Sequence, residues 1–436
     1  MYRIAMISVH SCPLAALGGK ETGGMNVYIR ELSKELAKKG CQIDIFTRSQ
    51  NPEVPTVVPF KKGIRIVHLK AGPESPYDKN QVWSHLPEFL ENMERFTRDE
   101  KGAYHLIHSH YWLSGWIGAH MSKRWKIPLL HMFHTLAYLK NKATRALGEH
   151  EPDARVEMEE KLLKQSDHIM VSNQREKGQM IWTYGVPTDK ISVIPCGVDP
   201  SLFRQCDPAQ SKLHLGLPDK RYILFVGRID PVKGIDTLLK AIKVLKQKLA
   251  TVHNVHLLII GGDKDHADSP TGSEMHKLKQ LTATLGIKNM VTFLGSQRQD
   301  QLPYFYSAAE VCILPSRYAS FGMVALESRA CGTPVIASKV GGLSSFIQND
   351  VSGLLIPEGD EVSLAEKIHL LLTQTSFKDT LASNARSRAN EFSWPVISRQ
   401  VLSLYQFLQK ERTKSASTLI TPSPDILEES QAVLHT

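Results

Sequence analysis

The feature that most limits what this chain can fold into is its rhythm. Short apolar runs alternate with longer amphipathic segments, and the alternation is played through twice. RIAMISVH opens the first pass, followed by a glycine-rich loop and then VYIRELSKELAKKG, whose apolar residues recur at helical spacing and which stops at Lys-Lys-Gly. QIDIFTRS, IRIVHLKAG, HLIHSH, PLLHMFHT, DHIMVSN and ISVIPCGV continue it as strands, with WLSGWIGAHMSKRW as a helix among them. The second pass restarts at YILFVGRID, adds the helix GIDTLLKAIKVLKQKL, and runs on through the strands VHLLIIGG, MVTFLG, EVCILP and PVIASKVGG. Strands alternating with helices predict parallel sheets, so the expectation is an α/β protein with two doubly wound domains and a switch near Gly197–Asp199. A length of 436 residues suits two cores better than one. Ligands of such sheets bind outside the strand carboxyl ends, which makes a cleft between two facing sheets the expected site.

After Phe392, SWPVISRQVLSLYQFLQKER predicts a last helix over 393–412, and the Ser-, Thr- and Pro-rich remainder, 413–436, predicts a flexible tail. No apolar run approaches the ~20 residues that cross a bilayer, so stable membrane insertion is not expected. The net charge of +9 admits nucleic acid, anionic lipid or phosphorylated small molecules. Without a basic stripe interleaved with aromatics, nucleic acid is not an expected partner. Cys12, Cys41, Cys196, Cys206, Cys312 and Cys331 are scattered and show no metal spacing, which predicts reduced thiols in a cytoplasmic protein.

Several stretches carry chemistry, each beside a plainer alternative. Gly18-Gly19 and Gly23-Gly24, between the first strand and first helix, let backbone N–H groups approach an anion, or form a simple loop. His108 and His110 share a strand face; a metal pair competes there with core packing, and no carboxylate or cysteine nearby completes a ligand set. His134 ends another strand, within reach of a substrate or held by packing. GRIDPVKG places Arg228 and Lys233 just past a strand, equipment for a diphosphate or a solvated charged loop. Asp263-x-Asp265 reads as a surface turn rather than a metal site. PSRYASFGMVALE brings Phe321-Gly322 to a helix start that can receive an anion, and Glu327 onto that helix, where a carboxylate can accept ribose hydroxyls.

Taken in order, GGMNVYIRELSKELAKKG, HSHYWLSG, FHTLAYLKN, IPCGVD, VGRIDPVKG, PSRYASFGMVALE and ACGTPVIASKVGG resemble the nucleotide-sugar-dependent retaining glycosyltransferases of family 4, over the chain to about residue 412. The resemblance implies the GT-B fold: an acceptor-side Rossmann-like domain over 1–196, a nucleotide-sugar-binding one over 197–392, and a final helix returning toward the first domain. Within the family, the first half is most similar to the mycothiol-pathway branch, which joins N-acetylglucosamine from UDP-GlcNAc to 1L-myo-inositol 1-phosphate. The sucrose-phosphate synthases are the next branch. By that resemblance Gly23 and Gly24 lie beside the donor diphosphate, and Asn26 touches the acceptor. Lys79, Tyr111, Thr135 and Arg155 grip the acceptor phosphate. His134 approaches the transferred sugar, while Arg228 and Lys233 hold the donor diphosphate. Ser320, Phe321, Gly322, Met323 and Val324 form the wall and helix start beneath it, and Glu327 holds the ribose. A UDP-sugar is the implied donor substrate, with no further cofactor and no metal, and a homodimer fits the resemblance.

One position departs from the family pattern, which has two glutamates separated by seven residues. This chain has Ala319 and Glu327. The missing carboxylate normally lies against hydroxyls of the donor sugar. Its loss leaves open a weakened transferase, a different donor sugar, or a nucleotide-sugar-binding protein without turnover. Transfer to fructose 6-phosphate, after the sucrose-phosphate synthases, is the other enzymatic alternative.

Overall fold

The structure is a computed structural model that describes residues 2–15, 22–100, 102–145, 148, 150–248, 254–262 and 273–418. Two sheets carry it. The first holds β1 (Arg3–Ile7), β2 (Gln42–Arg48), β3 (Val57–Lys61), β4 (Ile64–Leu69), β5 (Leu106–His110), β6 (Leu129–Met132), β7 (His168–Val171) and β8 (Ile191–Val193) in the order β3-β4-β2-β1-β5-β6-β7-β8. The second holds β9 (Arg221–Val226), β10 (Val255–Ile260), β11 (Val291–Gly295), β12 (Ala309–Leu314), β13 (Val335–Ser338) and β14 (Leu354–Ile356) in the order β11-β10-β9-β12-β13-β14. The strand order turns back at β1/β5 in one sheet and at β9/β12 in the other. Both crevices open at strand carboxyl ends, as open α/β sheets require.

Residues Ile4 to Ile7 of β1 are wholly buried, and the register Ile4↔Ile43 and Ile4↔Leu106 sets it centrally between β2 and β5. Ile223 does the same in the second sheet, paired with Leu257 and Val311. Such strands lack polar alternation because helices cover both faces. One strand breaks the parallel pattern. β3 runs antiparallel to β4 at the sheet edge, half-exposed and carrying Pro59. Its mixed sequence lacks the apolar run of a buried strand, and an edge position tolerates the proline.

The final helix does not stop at 412; it runs from Trp394 through Thr418. The rest of the expected tail lies outside the described residues. The helix packs against the first domain: the Trp394 ring lies 5.5 Å from that of Tyr28, and His108 Nδ1 and Tyr405 Oη are 2.7 Å apart. Both interdomain crossings lie side by side, with Val198 N–H donating to Phe392 O at 2.8 Å and Trp394 N–H donating to Val198 O at 3.1 Å. A Cβ on Gly197 would stand 2.5 Å from the Trp394 ring, so the crossing needs a glycine there. Burying Tyr28 and Trp394 together removes about 150–250 Å² of surface per ring from water, which couples the hinge to the first domain's core.

Candidate active site

Between the two sheets lies a cavity of 550 Å³, and every candidate donor, acceptor and catalytic residue named above lines it, whereas His108 and His110 do not. Gly18, Gly19, Asp263 and Asp265 are outside the described residues.

The second domain's wall grows from the ends of β9 and β12. Past β9, Arg228 stands 3.4 Å from Asp230, whose Oδ1 accepts from Val232 N–H at 3.0 Å and starts the turn Pro231–Lys233. Gly234 follows with φ 67°, and a Cβ there would fall 2.0 Å from Pro315 O. The loop is clamped by Arg317, which donates to Pro231 O at 2.6 Å and to Asp236 at 2.8 Å. Burial first, and Arg228 second, push the Lys233 ammonium down to about 8. That is the signature of a cation held short of anions. The helix Met323–Ala330 aims its first turn at the same space. Glu327 accepts from Tyr306 Oη at 2.9 Å, and burial raises it to about 7.

Ala319 is buried on this wall, and its carbonyl accepts from Gly342 N–H at 2.9 Å. The next carbonyl, Ser320 O, accepts from Asn173 Nδ2 at 2.7 Å and from Ser172 Oγ at 3.2 Å, a tie across the cleft to the first domain. Glu176 does not fill in for the absent carboxylate. It accepts from Ser172 N–H and Oγ at 3.2 and 3.0 Å, does not line the cavity, and burial raises it to about 7.

The first domain's wall is built differently. Tyr111 (φ 74°) and His134 (φ 60°) both sit in the left-handed region just past β5 and β6. Arg155, on the helix Asp153–Gln165, donates to Tyr111 Oη at 2.9 Å and to Thr135 O and Oγ1 at 2.8 and 3.0 Å. It also pairs with Glu159 at 2.7 Å and Glu151 at 2.8 Å. Burial opposes its charge, and Tyr111, Glu159 and Glu151 more than restore it. Asn26 lines the cavity, but its amide is already engaged: Nδ2 donates to Ser11 Oγ and Cys12 O, and Oδ1 accepts from Gly23 N–H. An acceptor contact from Asn26 has to use the second lone pair of Oδ1.

The histidines form a stack rather than a metal site. His108 and His110 rings lie 4.2 Å apart, and His110 Nδ1 is 3.0 Å from His134 Nε2. Burial lowers all three, His134 to about 3, so each is neutral near pH 7. Among the described residues no group of three His, Cys, Asp or Glu could hold a metal ion, and the cysteines are free. Among those residues, no helix is long and apolar enough to cross a membrane.

Among the cavity residues that sequence reasoning missed are His10, Lys140, Glu151 and Ser172. His10 ends β1's run, and its ring lies 4.5 Å from that of Tyr111. Its place past a central strand was a usable signal. Lys140 sits inside the quoted stretch FHTLAYLKN and pairs with Glu151 at 2.8 Å. Glu151 and Ser172 carried no local signal, because only the fold brings them to the cleft.

The sequence profile described as Glycosyltransferase Family 4 matches residues 22–202, and that of Glycosyl transferases group 1 matches residues 210–388. The chain is 37% identical over 421 residues to a D-inositol 3-phosphate glycosyltransferase from Acidothermus cellulolyticus, covering 95% of this chain and 92% of that one. A protein of the same name from Salinispora arenicola is also 37% identical, over 92% of this chain and 91% of its own. Among solved structures, sucrose-phosphate synthase from Thermosynechococcus elongatus superposes with a TM-score of 0.86 at 34% identity, covering 94% and 99% of the two chains. HepE from Anabaena, solved with UDP and glucose, has a TM-score of 0.71 over 93% and 100% of the chains; at 18% identity it bears on the fold alone. With both halves matched in order and the relatives covered nearly end to end, this chain belongs to the family 4 glycosyltransferases and has their two-domain GT-B fold.

Proposed function

We propose that this glycosyltransferase moves a hexose or N-acetylhexosamine from a UDP-sugar to a phosphorylated polyol or sugar, with retention at the anomeric carbon and with inositol phosphate as the favoured acceptor. The observation that carries this is the meeting of two cationic groups in one cavity: Arg228 and Lys233 beside the start of the helix Met323–Ala330, and Lys79 with Arg155 on the opposite wall. The relatives named D-inositol 3-phosphate glycosyltransferase support the choice of acceptor.

In this scheme Arg228, Lys233 and the helix start take up the charge that develops on the leaving UDP, without a metal ion. Glu327 receives the ribose hydroxyls. The acceptor hydroxyl attacks the face that the nucleotide leaves, and its proton passes to the departing phosphate, so no protein nucleophile is needed. His134, neutral at working pH, lends shape and polarity rather than charge. Lys79, Tyr111, Thr135 and Arg155 orient the acceptor. The tie between Asn173 and Ser320 closes one side of the cleft and limits access of water to the donor.

Transfer to fructose 6-phosphate is the second reading, supported by the likeness to sucrose-phosphate synthase. The test is UDP release from UDP-GlcNAc and from UDP-glucose, with 1L-myo-inositol 1-phosphate, with fructose 6-phosphate, or with neither. Release that depends on inositol phosphate bears out the first reading, and release that depends on fructose 6-phosphate replaces it. Donor binding by calorimetry without release under any acceptor makes the protein a nucleotide-sugar binder.

A further inference from the structure

Arg155 has five N–H donors, and the fold engages four of them in hydrogen bonds. Nε donates to Glu159, Nη1 to Tyr111, and Nη2 to both oxygens of Thr135, while the last N–H, on Nη1, faces Glu151 Oε2 at 2.8 Å. The bond to Glu159 lies within the helix Asp153–Gln165, and the three to Tyr111 and Thr135 knit that helix to the residues just past β5 and β6. The fifth is different. Glu151 Oε2 is close enough for an ion pair but makes no aligned hydrogen bond, so it is the contact an incoming anion displaces most readily.

The rest of Glu151 is fixed without help from its carboxylate. Its N–H donates to Asn141 Oδ1 at 2.7 Å, and its carbonyl accepts from Asn141 Nδ2 at 3.3 Å. The carboxylate meanwhile lies among three cations that line the acceptor half of the cavity. Oε1 accepts from Lys140 Nζ at 2.8 Å, Oε2 pairs with Arg155, and Lys79 adds its field. Rotation of the side chain can withdraw it and leave the loop intact.

We propose that Glu151 is a specificity-determining residue of the acceptor subsite: its carboxylate holds the place of the acceptor's anionic group and yields it only to a ligand bringing its own negative charge, a phosphate monoester. This rests on the proposal that the acceptor is phosphorylated. A phosphate oxygen can take over the contacts to Lys140 and Arg155 that Glu151 gives up, within the field of Lys79. A neutral polyol offers no charge in exchange, and displacing the carboxylate for it would cost the ion pairs of Glu151 with Lys140 and Arg155. Rejection of unphosphorylated acceptors is thus built in as a cost imposed on the wrong ligand.

The experiment titrates inorganic phosphate into the full-length protein by calorimetry, for the wild type, Glu151→Gln and Glu151→Asp. It is paired with KM and kcat for the phosphorylated acceptor and for its unphosphorylated counterpart. With the internal anion gone, Glu151→Gln should bind phosphate about tenfold more tightly and lower KM for the phosphorylated acceptor more than it changes kcat. Discrimination against the unphosphorylated acceptor should shrink in the same variant. If Glu151→Gln does not fold, Glu151→Asp keeps the charge but retracts it by one methylene, and phosphate binding tighter than wild type is again expected. Phosphate binding unchanged or weakened in a folded variant overturns the role of Glu151, even where the wild type turns over phosphorylated acceptors. Absence of phosphate binding in all three proteins overturns both this role and the phosphorylated-acceptor reading.

Discussion

The two walls of the cleft solve the problem of holding cations in opposite ways. On the donor side Arg228 has Asp230 at 3.4 Å, and Lys233, pushed down by burial and by Arg228, lacks a close carboxylate among the described ion pairs. On the acceptor side Arg155 is saturated by two glutamates, a tyrosine and a threonine. An anion arriving at Lys233 displaces no carboxylate among the described ion pairs. The acceptor wall is complete without one, so a ligand there must replace something. Incomplete sites favour tight binding, and self-satisfied ones favour discrimination, because a wrong ligand leaves a buried charge unpaired.

The largest effect should come from breaking the saturated wall. Arg155→Met strands Glu159 in the interior, leaves Glu151 with Lys140 alone, and should cost about 3–5 kcal/mol of stability, read by urea unfolding. Wild-type stability in that variant would mean the network is slack and the contrast between the walls false. Next comes the incomplete wall. Lys233→Ala should leave folding intact and lower kcat/KM by roughly 10²–10³-fold, as for removal of one group that stabilises transition-state charge.

The same lysine gives a pH signature. Its folded value of about 8 lies below its ordinary 10.5, so the unfolded chain binds more protons between those values. Its contribution to stability therefore rises with pH across that window. Donor affinity, which needs the ammonium, should fall as pH climbs past about 8. A flat pH profile for UDP binding through that range would remove Lys233 from the diphosphate site.

Ala319→Glu tests whether the donor wall lacks a sugar contact. A restored charge-assisted hydrogen bond of ~1.5–3 kcal/mol should raise kcat by about 10–100-fold. A slower variant would mean that the methyl is matched to the donor this protein uses. The smallest effect is expected at Glu327. Burial raises its carboxyl to about 7, so the unfolded chain, with its lower value, holds fewer protons between the ordinary 4.5 and 7, and stability falls with rising pH there. Glu327→Gln should then stabilise the protein at pH 8 by roughly 1–3 kcal/mol while weakening UDP binding, as seen by thermal melts and calorimetry. Loss of stability instead would show that the ionised carboxylate is satisfied inside the fold.

The sequence by itself determined the two-sheet plan and the location of the cleft. Parallel strands buried on both faces must be long apolar runs, as in Ile4–Ile7, and their carboxyl ends must carry the ligand-binding loops. It also put Arg228 and Lys233 in one loop, and Phe321 to Glu327 in one turn and helix, and both groups line the cavity. Local segments place local chemistry. The edge strand β3 escaped because a half-exposed strand with a proline needs no apolar run. Only the tertiary structure decided the acceptor wall. Arg155, Tyr111, Thr135, Lys140, Glu151 and Lys79 come from four separate segments, around 79, 111, 135–140 and 151–155, and no spacing rule joins the segments. Whether Arg155 is free to grip a ligand or already saturated depends on which acceptors the fold brings within 3 Å of each N–H, and that is a property of packing rather than of pattern.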